Sequence, residues 1–185
     1  MHWKKALKHL EDNKDWDAAI NFMQQALIEH PNDLNAHLFM NYLLMNLLVE
    51  ENHDENKHNY YEKLLKRYFD ESYEKFYDNP EYLYYTARTA IMSEWYFDIS
   101  YEKVLEMLHK PATLAPDNPI YKWAYYSSIN EKDYKDLEEA IKYAQAVLNP
   151  NSEIQQILKT KGSLGEYVLE IMTGWAKRTL GMNWY

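Results

Sequence analysis

The segment Glu50–Glu62, EENHDENKHNYYE, holds the best set of metal-ligating side chains in the sequence. On a helix, Glu50, Asp54 and His58 follow at four-residue intervals and share one face, with His53 beside them. Carboxylate and imidazole ligands suit a borderline divalent cation, which would activate water for hydrolysis. The spacing departs from the zinc-protease pattern, because His53 and His58 are five residues apart rather than four. The segment also reads as the turn between two helices, and a solvated charged connection is the reading it favours. No metal is therefore expected, and a metal-dependent hydrolase centred on His53, Asp54 and His58 is the third reading of function.

Other catalytic arrangements are missing. There is no Gly-x-Ser-x-Gly elbow, and with no glycine before Gly162 there is no phosphate-cradling loop ahead of a helix. His2, His9, His30 and His37 scatter over helix faces and ends, where polar surface accounts for them. A non-enzymatic protein with no catalytic residue and no cofactor is expected.

The aromatic residues are the sharper signal. The sequence has 18 tyrosines, and ten aromatics lie between Tyr60 and Tyr85. Tyrosine is amphipathic and low in rotamer entropy, which suits both half-buried positions in a wide helical array and binding surfaces. The net charge of −9 argues against nucleic acid, whose phosphates need a basic face, and is compatible with a basic protein partner. There is no cysteine and no apolar run like a secretory signal, and the most apolar stretch, Leu38–Val49, is too short to span a bilayer. These features imply a soluble, cytoplasmic protein that uses neither membrane nor nucleic acid.

The elements that carry these residues read as helices. All four glycines lie at or after Gly162, so the turns of a sheet protein are hard to build, and the connections use Asn, Asp and Pro instead. The periodicity predicts helices over 3–13, 16–30, 34–49, 54–77 (bent near Asp70), 80–95, 98–109, 119–130, 133–149, 152–161 and 164–180. Lys110–Pro119 reads as a connection, and Ser163 as the cap of the last helix. Two Asp-Asn-Pro starts place Pro80 and Pro119 39 residues apart, which suggests a repeat.

The stretch DWDAAINFMQQALIEHPND, Asp15–Asp33, sets Ala19 and Ala26 on one helix before the closing Pro31. Small residues there form a shallow groove that a neighbour's Trp3, Leu7 or Leu10 can enter. With those residues and Met23, the first unit resembles the tetratricopeptide repeat family; Asp133–Asn151, with Ala140, Ala144 and Pro150, resembles its second-helix segment. The resemblance implies antiparallel helix pairs stacked as a short right-handed α-solenoid. It forms a single domain over 1–185, divided into units 1–33, 34–79, 80–118 and 119–151 with capping helices over 152–185. In the last helix, Leu164, Val168, Ile171 and Trp175 form the expected apolar stripe. That helix either shields the array or, with the tail residues Trp184 and Tyr185, docks a partner or a second copy.

In this family the first helix of each pair lines a concave groove that holds a protein or peptide. Carried over, the groove residues are Lys4, Lys8, Asn35, Leu38, Tyr42, Tyr84, Tyr85, Arg88, Trp123 and Tyr126. The variety that clamps a terminal carboxylate is not expected, because Lys8 stands where an Asn is wanted and Phe39 stands near the next. The leading expectation is a protein-binding module. The alternative is a bacterial immunity protein that neutralises a cognate toxin, a basic nuclease for example, through its acidic charge.

Overall fold

The computed structural model describes residues 3–129 and 133–178. Among them the chain is all-helical, without a strand, as expected. The order is α1 (Trp3–Asp12), α2 (Trp16–Glu29), α3 (Leu34–Glu50), α4 (Glu55–Phe76) and α5 (Pro80–Ala90). A 3-10 turn, η1 (Glu94–Phe97), leads to α6 (Tyr101–Leu114), α7 (Pro119–Ser128), α8 (Tyr134–Leu148), α9 (Glu153–Lys159) and α10 (Gly162–Ala176). No helix among the described residues is long and apolar enough to cross a membrane.

Side-chain caps start most of these helices. Asp15, Asp33, Asp54, Asn79, Asn118, Asp133 and Ser152 each accept from backbone N–H groups of the first turn. Both Asn-Pro starts are observed, with Pro80 and Pro119 in the first turn, where a missing N–H costs nothing.

Three helices have other bounds than the sequence reading gives them. Helix α5 stops at Ala90 rather than Trp95: the Thr89 hydroxyl takes the Tyr85 carbonyl at 2.9 Å, and Met92 and Ser93 turn to three-residue bonds. Helix α6 runs on through Pro111 to Leu114, with Val104, Leu108 and Ala112 buried along it, so packing overrides the proline. The last helix starts at Gly162, whose φ is 53°, and its cap position is Lys161 rather than Ser163.

The structure divides into two compact units, Met1–Met107 and Leu108–Tyr185. In the first unit, α3 is the centre. Residues Ala36 to Met45 are all buried, and the helix packs against α2, α4 and α5. Helix α1 packs on α2, and η1 on α4 and α5. Ala19 is fully buried, as expected, but Ala26 is only half-buried, so the two alanines have different roles.

Three helices of this unit share one buried polar node. Ser72 Oγ donates to the Phe69 carbonyl at 3.0 Å and accepts from Asn41 Nδ2 at 3.1 Å. With that proton committed, the Tyr82 hydroxyl 2.8 Å away donates to Ser72. Burial raises the Tyr82 phenol well above its ordinary value and keeps it a neutral donor.

In the second unit, α8 packs against α7, α9 and α10, with Ala140 and Ala144 fully buried. The α10 stripe is Leu164, Val168 and Met172, spaced one turn apart; Ile171 and Trp175, expected on it, are half-exposed. Trp175 instead lies under the Arg178 guanidinium, 3.7 Å from its ring centroid. Gly165 is required: a Cβ there would stand 2.0 Å from the Leu158 carbonyl oxygen. Trp184 and Tyr185 lie outside the described residues.

Replacing Ser72 with Ala strands the Tyr82 hydroxyl and the Asn41 amide together. Urea denaturation of Ser72→Ala is expected to show a loss of about 1–3 kcal/mol. Replacing an exposed residue of the same helix, Lys63→Ala, is expected to change stability by less than about 0.5 kcal/mol.

Candidate functional site

Short connections make α1, α2, α3 and α4 alternate in direction, so alternate connections of the first unit share an end. The α1–α2 and α3–α4 connections meet through Lys14 to Glu51 at 2.7 Å and Lys57 to Asp17 at 3.3 Å. At the opposite end, Lys75 of α4 donates to the Pro31 carbonyl of the α2–α3 connection at 2.8 Å.

The first of these ends is acidic. Glu11, Asp12, Asp15 and Asp17 come together with Glu50, Glu51, Asp54 and Glu55, interrupted by Lys14 and Lys57. Asp15 and Asp54 have a local task, as N-caps of α2 and α4. Glu11, Asp12, Glu50 and Glu51 occupy the C-terminal ends of α1 and α3, where the helix dipole disfavours negative charge; Asp12 pairs there with Lys8 and Glu51 with Lys14. The charge is unevenly divided along the chain. Residues 1–107 hold 20 Asp and Glu against 11 Lys and Arg, while residues 108–185 hold nine of each, so the net −9 belongs to the first unit.

Aromatic surface lies beside these carboxylates. Helix α5 returns to this end and delivers η1, where Trp95 is 63% exposed. The turn is held by Phe97, buried edge-on against Phe69 with centroids 5.2 Å apart. It is held again by the Tyr96 hydroxyl, 3.2 Å from His58 Nε2, and by the ion pair of Lys66 with Asp98. Tyr60, on the first turns of α4, is 50% exposed.

The groove residues carried over from the repeat resemblance have other surroundings. Leu38, Tyr42, Tyr84, Tyr85, Arg88 and Trp123 are buried, so they support a surface rather than meet a partner. Tyr84 and Tyr85 pack edge-to-face at 4.9 Å. Lys4, Lys8, Asn35 and Tyr126 are half-exposed. The Lys4 ammonium lies 5.3 Å from the Phe39 ring centroid, and Lys8 pairs with Asp12 at 3.1 Å. In the second unit, Tyr126 stacks on Tyr143 with centroids 5.9 Å apart.

The metal-ligand set is not assembled. His53 Nε2 donates to the Leu47 carbonyl at 3.0 Å and its ring packs on Tyr61, while His58 turns to Tyr96. Among the described residues no three His, Asp or Glu side chains converge on a cation position. The acidic end went unrecognised because 11–17 and 50–57 are far apart in sequence. Direction alternation was the signal available: in a run of antiparallel helices the first and third connections share an end.

A second feature of the first unit is a depression of about 390 Å³ between α2 and α4, floored by His37. The Pro31 carbonyl accepts from His37 Nε2–H at 2.9 Å, so Nδ1 carries the lone pair, buried without a partner. Burial lowers the His37 pKa; Lys75 acts in the same direction, and the Pro31 bond, Glu71 and Asp33 oppose it. Arg67, which also lines the depression, pairs with Glu71 at 3.4 Å.

A folded pKa below the unfolded value means that the unfolded chain binds the proton first. Stability from His37 is therefore complete above about pH 6.5 and is lost as pH falls towards the lowered folded value. Unfolding free energies between pH 7.5 and 5 are expected to fall on acidification, by at most about 1.4 kcal/mol per pH unit for this group. His37→Gln is expected to flatten that slope, leaving the dependence from other titrating groups, among them His109, whose pKa burial also lowers.

No protein-family model matches the chain, and no curated protein matches it.

Proposed function

We propose that this chain is a non-enzymatic protein-binding module of stacked tetratricopeptide-like helix pairs, and that the acidic end of its first unit receives a basic protein surface. The observation that carries the reading is the group Glu11, Asp12, Glu50 and Glu51 at helix C-termini. Carboxylates there oppose the helix dipole, at about 0.3–1 kcal/mol each, and the exposed Lys8–Asp12 and Lys14–Glu51 pairs offset only part of the charge gathered at this end. A cationic partner would neutralise more of it. Trp95 and Tyr60 supply adjacent aromatic area, and tryptophan and tyrosine are the residues that dominate binding hot spots and accept cations on their faces.

The packing of α3 on both α4 and α5 supports the stacked-pair reading. The partner surface moves from the groove residues, six of which are buried, to the acidic end. Concentration of the whole net charge in one unit favours a more specific form as second reading: an immunity-type inhibitor that covers a basic toxin by electrostatic steering.

Affinity capture with cross-linking mass spectrometry would identify the partner, and stopped-flow association would test the mechanism. The double variant Asp12→Asn with Glu50→Gln is expected to melt close to the temperature of the parent, since relief of two unfavourable dipole contacts offsets loss of the exposed Lys8–Asp12 pair. Its association rate is expected to drop by roughly tenfold at low salt, and the parent's rate to fall as salt rises. An association rate indifferent to both changes, or cross-links confined to residues 108–185, would refute the proposal.

A further inference from the structure

The depression between α2 and α4 lies beside the Pro31 connection, at the end of the first unit opposite the carboxylates. Its charge is the reverse of the unit's. Arg67 and Lys75 line it against a single carboxylate, Glu71, in a unit that holds the whole net −9. Both cations keep donors in reserve. Arg67 meets Glu71 through Nε at 3.4 Å, and its two terminal nitrogens have no partner among the described residues. The guanidinium lies 4.3 Å from the Tyr68 ring centroid, which steadies its plane and leaves its edge for a forked contact. Lys75 gives one N–H to the Pro31 carbonyl at 2.8 Å and has no carboxylate partner among the described residues.

The floor holds a group that the fold does not satisfy. His37 is 2% exposed, and its Nε2–H is committed to the same Pro31 carbonyl at 2.9 Å. Nδ1 is left as a buried acceptor without a donor. A proton would satisfy Nδ1, but the imidazolium it creates is opposed by burial and by Lys75. The other charges around the ring are Glu71 on α4, where Phe76 packs against the imidazole, and Asp33 at the start of α3. Helix α2 presents only the uncharged Gln24, Leu27 and Ile28. An anion set among Arg67, Lys75 and His37 resolves the conflict, because it attracts both cations and accepts from a protonated Nδ1.

We infer that this depression binds a small organic acid, its carboxylate forked by Arg67, contacted by Lys75 and joined to His37 Nδ1 through a proton taken from solvent, with a short aliphatic chain along Leu27 and Ile28. The volume, about 390 Å³, suits a ligand of this size. Ile28 is 73% exposed, so the chain has apolar area to cover. Glu71 disfavours a more highly charged group such as phosphate. The site is separate from the acidic end, and its test needs no protein partner.

Hexanoate is the probe, titrated into the full chain and followed by calorimetry and by the imidazole nitrogen resonances. Saturable one-to-one binding is expected. It strengthens by about three- to tenfold per pH unit as pH falls from about 7.5 to about 6.5, because a proton is taken up with the ligand. In the unmodified chain, saturating hexanoate is expected to carry the His37 titration to higher pH, a readout that needs no variant. Arg67→Gln, at an exposed position of α4, is expected to weaken binding at least about fivefold and to keep the pH dependence, with helical circular dichroism as the folding control. Hexanamide, similar in shape but uncharged, is expected to bind at least about tenfold more weakly. No saturable binding at about pH 6.5 would overturn the inference. So would equal binding of hexanamide, which identifies an apolar crevice, or of inorganic phosphate, which identifies an adventitious anion only. Binding that leaves the His37 titration in place, or that is undiminished in Arg67→Gln, refutes it as well. A peptide with a free C-terminal leucine that binds where hexanoate does not would assign the depression to a partner's chain end and refute the small-acid reading.

Discussion

Helix α3 has no solvent face between Ala36 and Met45, and the first unit follows from enclosing it. An amphipathic helix needs cover on one side; a helix apolar all round needs cover on every side. Helices α2, α4 and α5 supply it. The chain reaches those positions through short connections, so each helix reverses direction. Burial of α3 and alternation of direction together decide which loops become neighbours. The acidic end is a consequence: Lys14 can pair with Glu51, 37 residues away in sequence, because the helices between them run out and back.

Enclosure by apolar contact alone leaves register undecided, since one leucine turn resembles the next. The Asn41, Ser72 and Tyr82 node supplies a register mark from three helices at one point. Shifting any one helix by a turn would leave buried polar atoms without partners, which is costlier than losing a few apolar contacts. Lys75 and His37 act similarly at the far end, both donating to the Pro31 carbonyl. Neither arrangement is expected to stabilise much on net; each makes the alternatives worse.

Helix positions were readable from the sequence where a cap and a stop coincide. Asp15 with Pro31, Asn79 with Pro80 and Asn118 with Pro119 fall where Asp, Asn and Pro chemistry puts them. The ends of α5 and α6 were not readable, because one ends by a side-chain hydroxyl competing for a carbonyl and the other continues through a proline on buried neighbours. Alternating burial was also hidden. Ala19 and Ala26 look equivalent as letters, but the first is fully buried and the second half-buried, and nothing in a period of 3.6 distinguishes them. Six of the ten groove residues are buried for a related reason. Tyr84 and Trp123 are amphipathic enough for a surface, and their burial depends on helices far along the chain.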